Sequence, residues 1–459
     1  MGMLKLSEVV QAVNGKCYSI EDLEFTEITT NSREVRPGSL FVALVGERFD
    51  GHEFCAAALK AGAAAVLVSR QPDDLPAEAL VIKTEDTLEA YLQIARAYRE
   101  KMTDLKVVAI TGSNGKTSTK DLVAACLAQK YRVVKTEANF NNEIGIPKTL
   151  LNIKPDTQIA VVEIGMRGLG QISRLAAIAQ PDVAVVTNVG ETHIELLGSM
   201  DNIAKAKAEL VTGLLPSQAA VLNADNQYTA RMAQQTAAEV TYFGTGELAD
   251  VCARKIEIAA TGNRFECYIK RTGEHDIIEL PMIGMHNVEN ALAAIAAGSL
   301  FGVQLKDSKL ALKQPQLTAK RQEVLEFGRV TVVNDAYNAS PASMFAALDM
   351  LERLKNAKNG RSIAVLADML ELGAVSVQAH EEVGVMAAAR HTDIVVTFGE
   401  AAKLIAAKAA AAGCESFVCE DVEAAGKQLA HLVKDNDVVL LKGSHSMQVD
   451  RIIDLVFKK

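Results

Sequence analysis

Residues 107–118 read VVAITGSNGKTS: an apolar run of four, a glycine-containing turn and a Lys-Thr pair. The run has the length of a buried strand, and the turn hands it to a helix opening near Thr117. Such a junction gathers several backbone N–H groups and a helix N-terminus around one point, which makes an anion site by geometry alone. The phosphate-loop pattern G-x-x-x-x-G-K-[ST] asks for glycine at position 110, where this chain has Ile110. Gly112 and Gly115 remain to supply the left-handed or close-approach conformations of the turn. Lys116 can reach the terminal phosphates of a nucleotide, and the Thr117 hydroxyl can bind magnesium. The plain alternative is a tight turn that binds nothing; Gly-Lys-Thr at a strand-to-helix junction favours the nucleotide site.

Outward from this stretch the rhythm is strand then helix. Apolar runs at VVAI (107–110), AVVEIG (160–165), VAVVT (183–187), VTVVND (330–335), SIAVLAD (362–368), DIVVTFG (393–399) and DVVLLKG (437–443) alternate with Ala-rich helical stretches. That alternation is the signature of parallel α/β sheets. The first eighty or so residues differ, with short strands in LFVAL and AAVLV around a loop rich in Arg, Gly and Asp. Residues 85–102 have helical periodicity, and a second junction is expected around Pro315. The expected fold is α/β in three domains: a small mixed α/β domain over 1–84, a central P-loop-type domain with a parallel or mixed sheet over 85–315, and a Rossmann-like α/β domain over 316–459.

Composition narrows the function. The chain has 459 residues, 49% hydrophobic and 23% charged, enough for large cores in several domains. Its net charge of −9 comes without a Lys/Arg cluster, which argues against a nucleic-acid footprint. Seven cysteines, with no C-x-x-C pair, indicate neither a disulfide framework nor a zinc ribbon and fit reduced thiols in the cytosol. No apolar run reaches the length of a membrane span, and no export signal is read at the amino terminus. A cytoplasmic protein is expected.

Ligands of open α/β sheets gather at the carboxyl ends of strands. There the chain delivers Glu163 and His193, each a metal ligand or a solvated side chain. Asn287 and Asn290 lie three apart on one helix face, where they serve a nucleotide base, a cap or a core hydrogen bond. Asp335, Asp368 and Lys442 follow strands in the last part of the chain, facing the central site. An N-K-x-D guanine reader is missing, so a switch GTPase is not indicated.

The stretches GSNGKTS, NFNNEIGIPKTLL, EIGMRGLGQI, TNVGETHIELLGSMDNIAKAKAEL, GMHNVENALAA, NDAYNASPASMFAAL, LADMLELG and LLKGS occur in the order seen in the Mur ligases, the ATP-dependent enzymes that build the peptidoglycan stem peptide. The resemblance covers essentially the whole chain. Two stretches refine it: NSREVRPGSLFVALVGERFDGHEF, similar to the uridine-nucleotide domain of the later ligases, and DAYNASPASM, which stands at the family's dipeptide motif. They imply the member that joins D-alanyl-D-alanine to UDP-N-acetylmuramoyl-tripeptide. The tripeptide carboxylate would be phosphorylated by ATP to an acyl phosphate, which the dipeptide amine displaces.

The resemblance also implies roles. Gly112, Ser113, Asn114, Gly115, Lys116, Thr117 and Ser118 would cradle the ATP phosphates, with Thr117 and Glu163 on one magnesium ion. His193 would hold a second ion. Lys207, which from sequence alone reads as a solvated helix lysine, stands where the family carries a lysine carbamylated by carbon dioxide. Asn290, beside Asn287, would contact adenine, Asp335 would reach ATP, and Arg321 would touch phosphate as domains close. Ser32 and Arg33 would grip the uridine diphosphate, Asn139 and Asn142 the muramoyl peptide, Tyr337 and Asn338 the dipeptide. A monomer with small-molecule substrates is expected.

Three positions depart from the family pattern: Ser340 for Asn, Ala367 for Gly and His445 for Arg. Two neighbouring activities remain as alternatives, a ligase adding the third stem residue and a folylpolyglutamate synthetase. The first would carry a D-N-P-R type motif, which is missing; the second would lack the NSREVRPGSLF and YNASP stretches. A third reading, an ATP-binding regulatory protein, would leave the polar strand ends of the last domain without a task.

Overall fold

The structure, a computed structural model, describes residues 2–17, 21–47 and 49–458; Arg48, inside the amino-terminal stretch quoted above, lies outside them. The described chain is α/β throughout, as expected. It groups into two compact units, one of Met1–Ile110, Tyr131–Met166 and Gly170–Ala184, the other of Thr111–Lys130, Arg167–Leu169 and Val185–Lys459.

In the first unit, strands β1 (Ile28–Thr29), β2 (Leu40–Val42), β3 (Ala65–Val68) and β4 (Val81–Lys83) form a parallel sheet in that order. β2 and β3 are buried along their whole length, so they read as apolar runs rather than as alternation. The helix expected over 85–102 spans Thr87–Lys101; the Asp86 carboxylate caps it by accepting the N–H groups of Leu88 and Glu89 at 2.7 and 3.0 Å. It buries Ala90, Tyr91, Ile94, Ala95 and Tyr98, the stripe its periodicity forecasts. Three further parallel strands follow, β5 (Lys106–Thr111), β6 (Val133–Lys135) and β7 (Ile159–Glu163), with β7 in the middle. Ile110 pairs with Glu163, which sets Glu163 at the carboxyl end of its strand.

The second unit carries two sheet regions. β8 (Val183–Val186), of which only Val185 and Val186 belong to this unit, β9 (Ala219–Asn223), β10 (Glu239–Gly244), β11 (Val251–Ala259), β12 (Gly262–Ile269) and β13 (Glu274–Leu280) lie side by side in chain order. β9 to β11 are parallel, β11 to β13 antiparallel. The antiparallel arm was not forecast. Its strands bury one face, leaving Arg264 and Glu266 in water or half-covered, so a search for apolar runs passes over it. Helix Leu305–Lys313 packs on β13 through Lys309–Asp276 (2.7 Å) and Lys313–Glu279 (3.5 Å) ion pairs.

The other sheet has six strands, β14 (Glu323–Phe327), β15 (Val330–Asp335), β16 (Ser362–Ala367), β17 (Ile394–Phe398), β18 (Glu415–Cys419) and β19 (Val438–Lys442), in the order β14-β15-β19-β16-β17-β18. All are parallel except β14. Alternate residues feed two cores. Val333, Ala364, Leu366, Leu440 and Val395 meet helices Pro341–Lys358, Ser376–Ala389 and Ala402–Ala411 on one face. Val332, Ile363, Val365, Leu441 and Val396 meet helices Val422–Leu432 and Arg451–Val456 on the other. Burial on both faces is why these strands are continuous apolar runs, and truncating one such residue, as in Leu440→Ala, costs about 3 kcal/mol. Register aligns Asp335 with Lys442, and Lys442 with Leu366, so the polar residues that end these strands share one edge.

Candidate active site

The loop after β5 does not need the missing glycine. Ile110 is fully buried as a strand residue, and the turn begins after it. The demanding positions are Gly112 (φ 153°) and Gly115 (φ 80°): an added Cβ would lie 1.9 Å from Thr187 Oγ1 at the first and 2.5 Å from Asn290 Oδ1 at the second. Both exclude a side chain by conformation and by space. Helix Lys116–Leu127 starts directly after Gly115, and its first backbone bond runs from Thr119 N–H to Gly115 O (2.8 Å). The N–H groups of its opening turn are therefore directed out of the N-terminus.

Residues after β8 shape the loop. Asn188 accepts the Ser113 N–H through its carbonyl and the Asn114 N–H through its side chain, both at 2.9 Å, and Thr187 Oγ donates to Asn114 O at 2.7 Å. Ser113 Oγ donates to Gly190 O and accepts from Gly190 N–H. Lys116 Nζ lies across the loop, donating to Gly112 O (2.7 Å) and Ser113 O (3.2 Å). Thr117 is buried at the helix start.

Two further titratable residues on the same unit, Lys207 and His193, are shaped by burial. Lys207, on helix Met200–Thr212, is only 2% exposed, so its reading as a solvated helix lysine is wrong. Burial holds its amine well below the ordinary lysine range, and the Lys116 ammonium adds to the depression. His193, at φ 67°, places Nδ1 2.5 Å from Glu371 Oε2. Burial lowers its basicity, against the opposing pull of Glu371. Glu371 belongs to the stretch LADMLELG, whose sequence alone marks no role for it.

A continuous chain of hydrogen bonds leaves the loop's helix. Thr119 Oγ donates to Asn290 Oδ1 (3.0 Å), Asn290 Nδ2 to Asn287 Oδ1 (3.2 Å), and Asn287 Nδ2 to Gln322 Oε1 (2.9 Å). Gln322 N–H donates to Asp335 Oδ1 (3.1 Å), whose other oxygen accepts from Lys442 Nζ (2.6 Å). Lys442 also donates to Asn338 O at 3.0 Å. The sequence supplied Asn287, Asn290, Asp335 and Lys442 but not Gln322, whose place in an irregular segment gave no signal. Arg321 stacks its guanidinium 3.8 Å from the Tyr337 ring centroid, and Tyr337 meets the His445 ring at 5.7 Å. Ser340, which caps helix Pro341–Lys358, donates to Asn114 Oδ1 at 3.1 Å. Asp368 does not join this assembly: its carboxylate accepts the Ala402 N–H at the head of another helix.

In the first unit, Glu163 is 1% exposed, with one oxygen accepting from Asn141 Nδ2 at 2.8 Å and its N–H donating to Thr136 Oγ1 at 3.1 Å. Asn141 was overlooked between its neighbours Asn139, which is exposed, and Asn142. The Asn142 amide oxygen accepts the N–H groups of Ile144 and Gly145, capping helix Gly145–Leu151. Ser32 and Arg33 sit in a turn held by Asn31, which accepts the Arg33 N–H at 3.0 Å. Arg33 is exposed.

A Gly-Lys-Thr loop at a helix N-terminus, with a buried lysine behind it and a polar chain running to the ends of a second parallel sheet, defines a phosphate-handling α/β enzyme. Family models agree in detail: a Mur ligase middle domain matches residues 110–298, a Mur ligase glutamate ligase domain 320–445, and a Mur ligase family catalytic domain 24–99. A UDP-N-acetylmuramoyl-tripeptide–D-alanyl-D-alanine ligase of Bacillus subtilis is 38% identical over 94% of this chain and 93% of its own. A MurF crystal structure from Acinetobacter baumannii superposes with a TM-score of 0.91 at 30% identity over the whole of both chains. MurF of Thermotoga maritima in complex with ADP gives 0.81, at 30% identity, over 94% of this chain and 97% of that one. The chain belongs to the Mur ligase family.

Proposed function

We propose that this chain is the ATP-dependent ligase that joins D-alanyl-D-alanine to UDP-N-acetylmuramoyl-tripeptide, releasing ADP and phosphate. The observation that carries the reading is the hydrogen-bonded chain from Thr119 to Lys442, with Ser340 on Asn114: it ties the phosphate loop to the polar strand ends of the six-stranded sheet. Amide formation through an acyl phosphate needs that conjunction, because ATP, a carboxylate and an attacking amine must meet in one water-poor place. Near-full-length relatives at 30–38% identity that are named for this ligation support it over the neighbouring activities.

The residues divide the work. Gly112 to Ser118 would hold the β- and γ-phosphates, with Lys116 neutralising charge that develops as phosphate transfers to the tripeptide carboxylate. Asn290, beside Asn287, would turn its remaining amide hydrogen to adenine, Asp335 would reach the nucleotide, and Arg321 the transferred phosphate. Tyr337 and Asn338 would receive the dipeptide, Ser32 and Arg33 the uridine diphosphate, Asn139 and Asn142 the muramoyl peptide. In these roles the chain works as parts 1–84, 85–315 and 316–459.

Magnesium suits the donors present. Among the described residues no three His, Cys, Asp or Glu side chains form a metal cage. Magnesium with a nucleotide requires none, taking most ligands from phosphates and water and one or two from protein. Thr117 and Glu163 would supply oxygens to one ion and His193 a nitrogen to another; bound there, magnesium would offset phosphate charge as a Lewis acid. Lys207 would add oxygens as a carbamate. Its amine, once uncharged, would form an N–C bond to carbon dioxide while one C=O π pair moves onto oxygen and the displaced proton goes to water, a change that the depressed basicity of the buried amine favours. Among the described residues no helix is long and apolar enough to cross a membrane.

The test is phosphate release by the purified protein with ATP, with and without each substrate. Release that needs both the UDP-linked tripeptide and D-alanyl-D-alanine, with ADP as the nucleotide product, is expected. Release of AMP and pyrophosphate, or turnover indifferent to the dipeptide, would refute the assignment.

A further inference from the structure

His193 and Glu371 come from different parts of the sequence, 178 positions apart, and meet through Nδ1 and Oε2 at 2.5 Å. Both sit in left-handed backbone, at φ 67° and 62°. For residues other than glycine that conformation is uncommon and is kept only where the surroundings impose it. The two turns are zipped together beyond this bond: Glu195 N–H donates to Glu371 O at 3.4 Å, and Gly373, at φ 52°, lies so close that an added Cβ would be 3.1 Å from Glu195 Cβ. On the far side of the carboxylate, Arg167 approaches the other oxygen at 3.8 Å.

An imidazole can be a metal ligand only through a nitrogen whose lone pair is unprotonated, and which nitrogen that is depends on the hydrogen bond made by the other. Carboxylate oxygens accept. With Glu371 against Nδ1, the ring carries its proton there, and Nε2 keeps its lone pair. We propose that Glu371 is a positioning residue: it fixes His193 as the Nδ1–H tautomer with Nε2 presented to a divalent cation. Because Glu371 follows β16 of the six-stranded sheet, that sheet completes a ligand rooted beyond β8, and a chain lacking this contact holds its cation poorly. The inference rests on the reading of His193 as a cation ligand, and the experiment separates the two.

The tautomer is read first, on metal-free protein labelled with 15N-histidine, from the ring nitrogen shifts of His193. Glu371→Ala and Glu371→Leu, which remove the acceptor, should move the His193 proton from Nδ1 to Nε2. Glu371→Gln, which keeps an acceptor but loses the charge, should leave it on Nδ1. Having two acceptor-free variants guards against one that fails to fold. Mn2+ is then titrated by electron paramagnetic resonance into each protein with a non-hydrolysable ATP analogue. Loss of the acceptor should weaken the second Mn2+ by roughly 10–100-fold, with Glu371→Gln near wild type and analogue binding in EDTA unchanged. An unmoved tautomer in both acceptor-free variants, or a Gln variant that behaves like Ala, would overturn the positioning role and leave a plain ion pair. If His193→Ala binds Mn2+ as tightly as wild type, His193 is not the ligand, and the tautomer measurement alone decides what Glu371 does.

Discussion

Replacing Asp335 by alanine should destabilise the six-stranded sheet strongly, and the structure fixes how strongly. The Lys442 side chain is 2% exposed and that of Asp335 11%, with 2.6 Å between Nζ and Oδ2. Removing one member of a buried pair leaves an uncompensated charge, a loss of about 3–5 kcal/mol. The lower end applies, because Lys442 keeps the Asn338 carbonyl at 3.0 Å. The Gln322 N–H loses its acceptor as well, adding about 1 kcal/mol. The sum, about 4 kcal/mol, lowers the melting temperature of a cooperative unit of this size by roughly 8–16 °C. Calorimetry of the ligand-free protein measures it, and Asp335→Ala with Lys442→Met, which removes the stranded charge, should recover part of the loss. A fall below about 3 °C in the single variant, or a double variant no more stable than the single, would show that the pair is solvated and the reasoning wrong.

Other expectations follow from the site. Lys116→Ala should slow phosphate release by about a hundredfold, the cost of one well-placed cationic contact; a loss under about threefold would remove Lys116 from the chemistry. Lys207→Ala should be inactive yet folded, and millimolar formate or acetate should restore part of its rate but none of that of Lys116→Ala; full activity without additive would exclude the carbamate. Glu289 has its carboxyl raised to about 7, chiefly by burial and then by the neighbouring Asp225. A carboxyl raised on folding stabilises the fold most below its unfolded value near 4.5 and loses that contribution as pH climbs towards 7. The melting temperature of Glu289→Gln should therefore change less than that of wild type between pH 5 and 8, and identical profiles would contradict the burial.

Much of the architecture was legible because its strands are buried on both faces. β5, β7, β8, β15, β16, β17 and β19 appear in the sequence as apolar runs within a residue or two of their bounds. The arm β11–β13 was not legible, since half of each strand faces water and residues such as Arg264 and Glu266 interrupt the signal. At the site, GSNGKTS announced itself through steric demands that only glycine meets. Lys207 did not, because a lone lysine in a helix carries no mark of its burial; only the order of family motifs singled it out. Asn188, Gln322 and Glu371 were missed for a different reason. Each acts through a partner more than thirty positions away in sequence, and such partnerships exist only after folding.

The polar chain from Thr119 has a consequence for where hydrogen atoms lie. Amide oxygens and nitrogens are hard to tell apart in electron density, so each Asn or Gln in such a chain ordinarily leaves two choices. Here one carbonyl removes them all. Asn287 Nδ2 also donates to Ile283 O at 2.9 Å, and a carbonyl can only accept, so that amide has a single orientation. Gln322 must then present its oxygen to Asn287, Asn290 must present its nitrogen, and Thr119 must be the donor at the far end. His286 Nε2, 3.2 Å from that same Gln322 oxygen, must carry the ring proton. A neutron diffraction map of this protein would find five hydrogen positions dictated by the main-chain oxygen of Ile283.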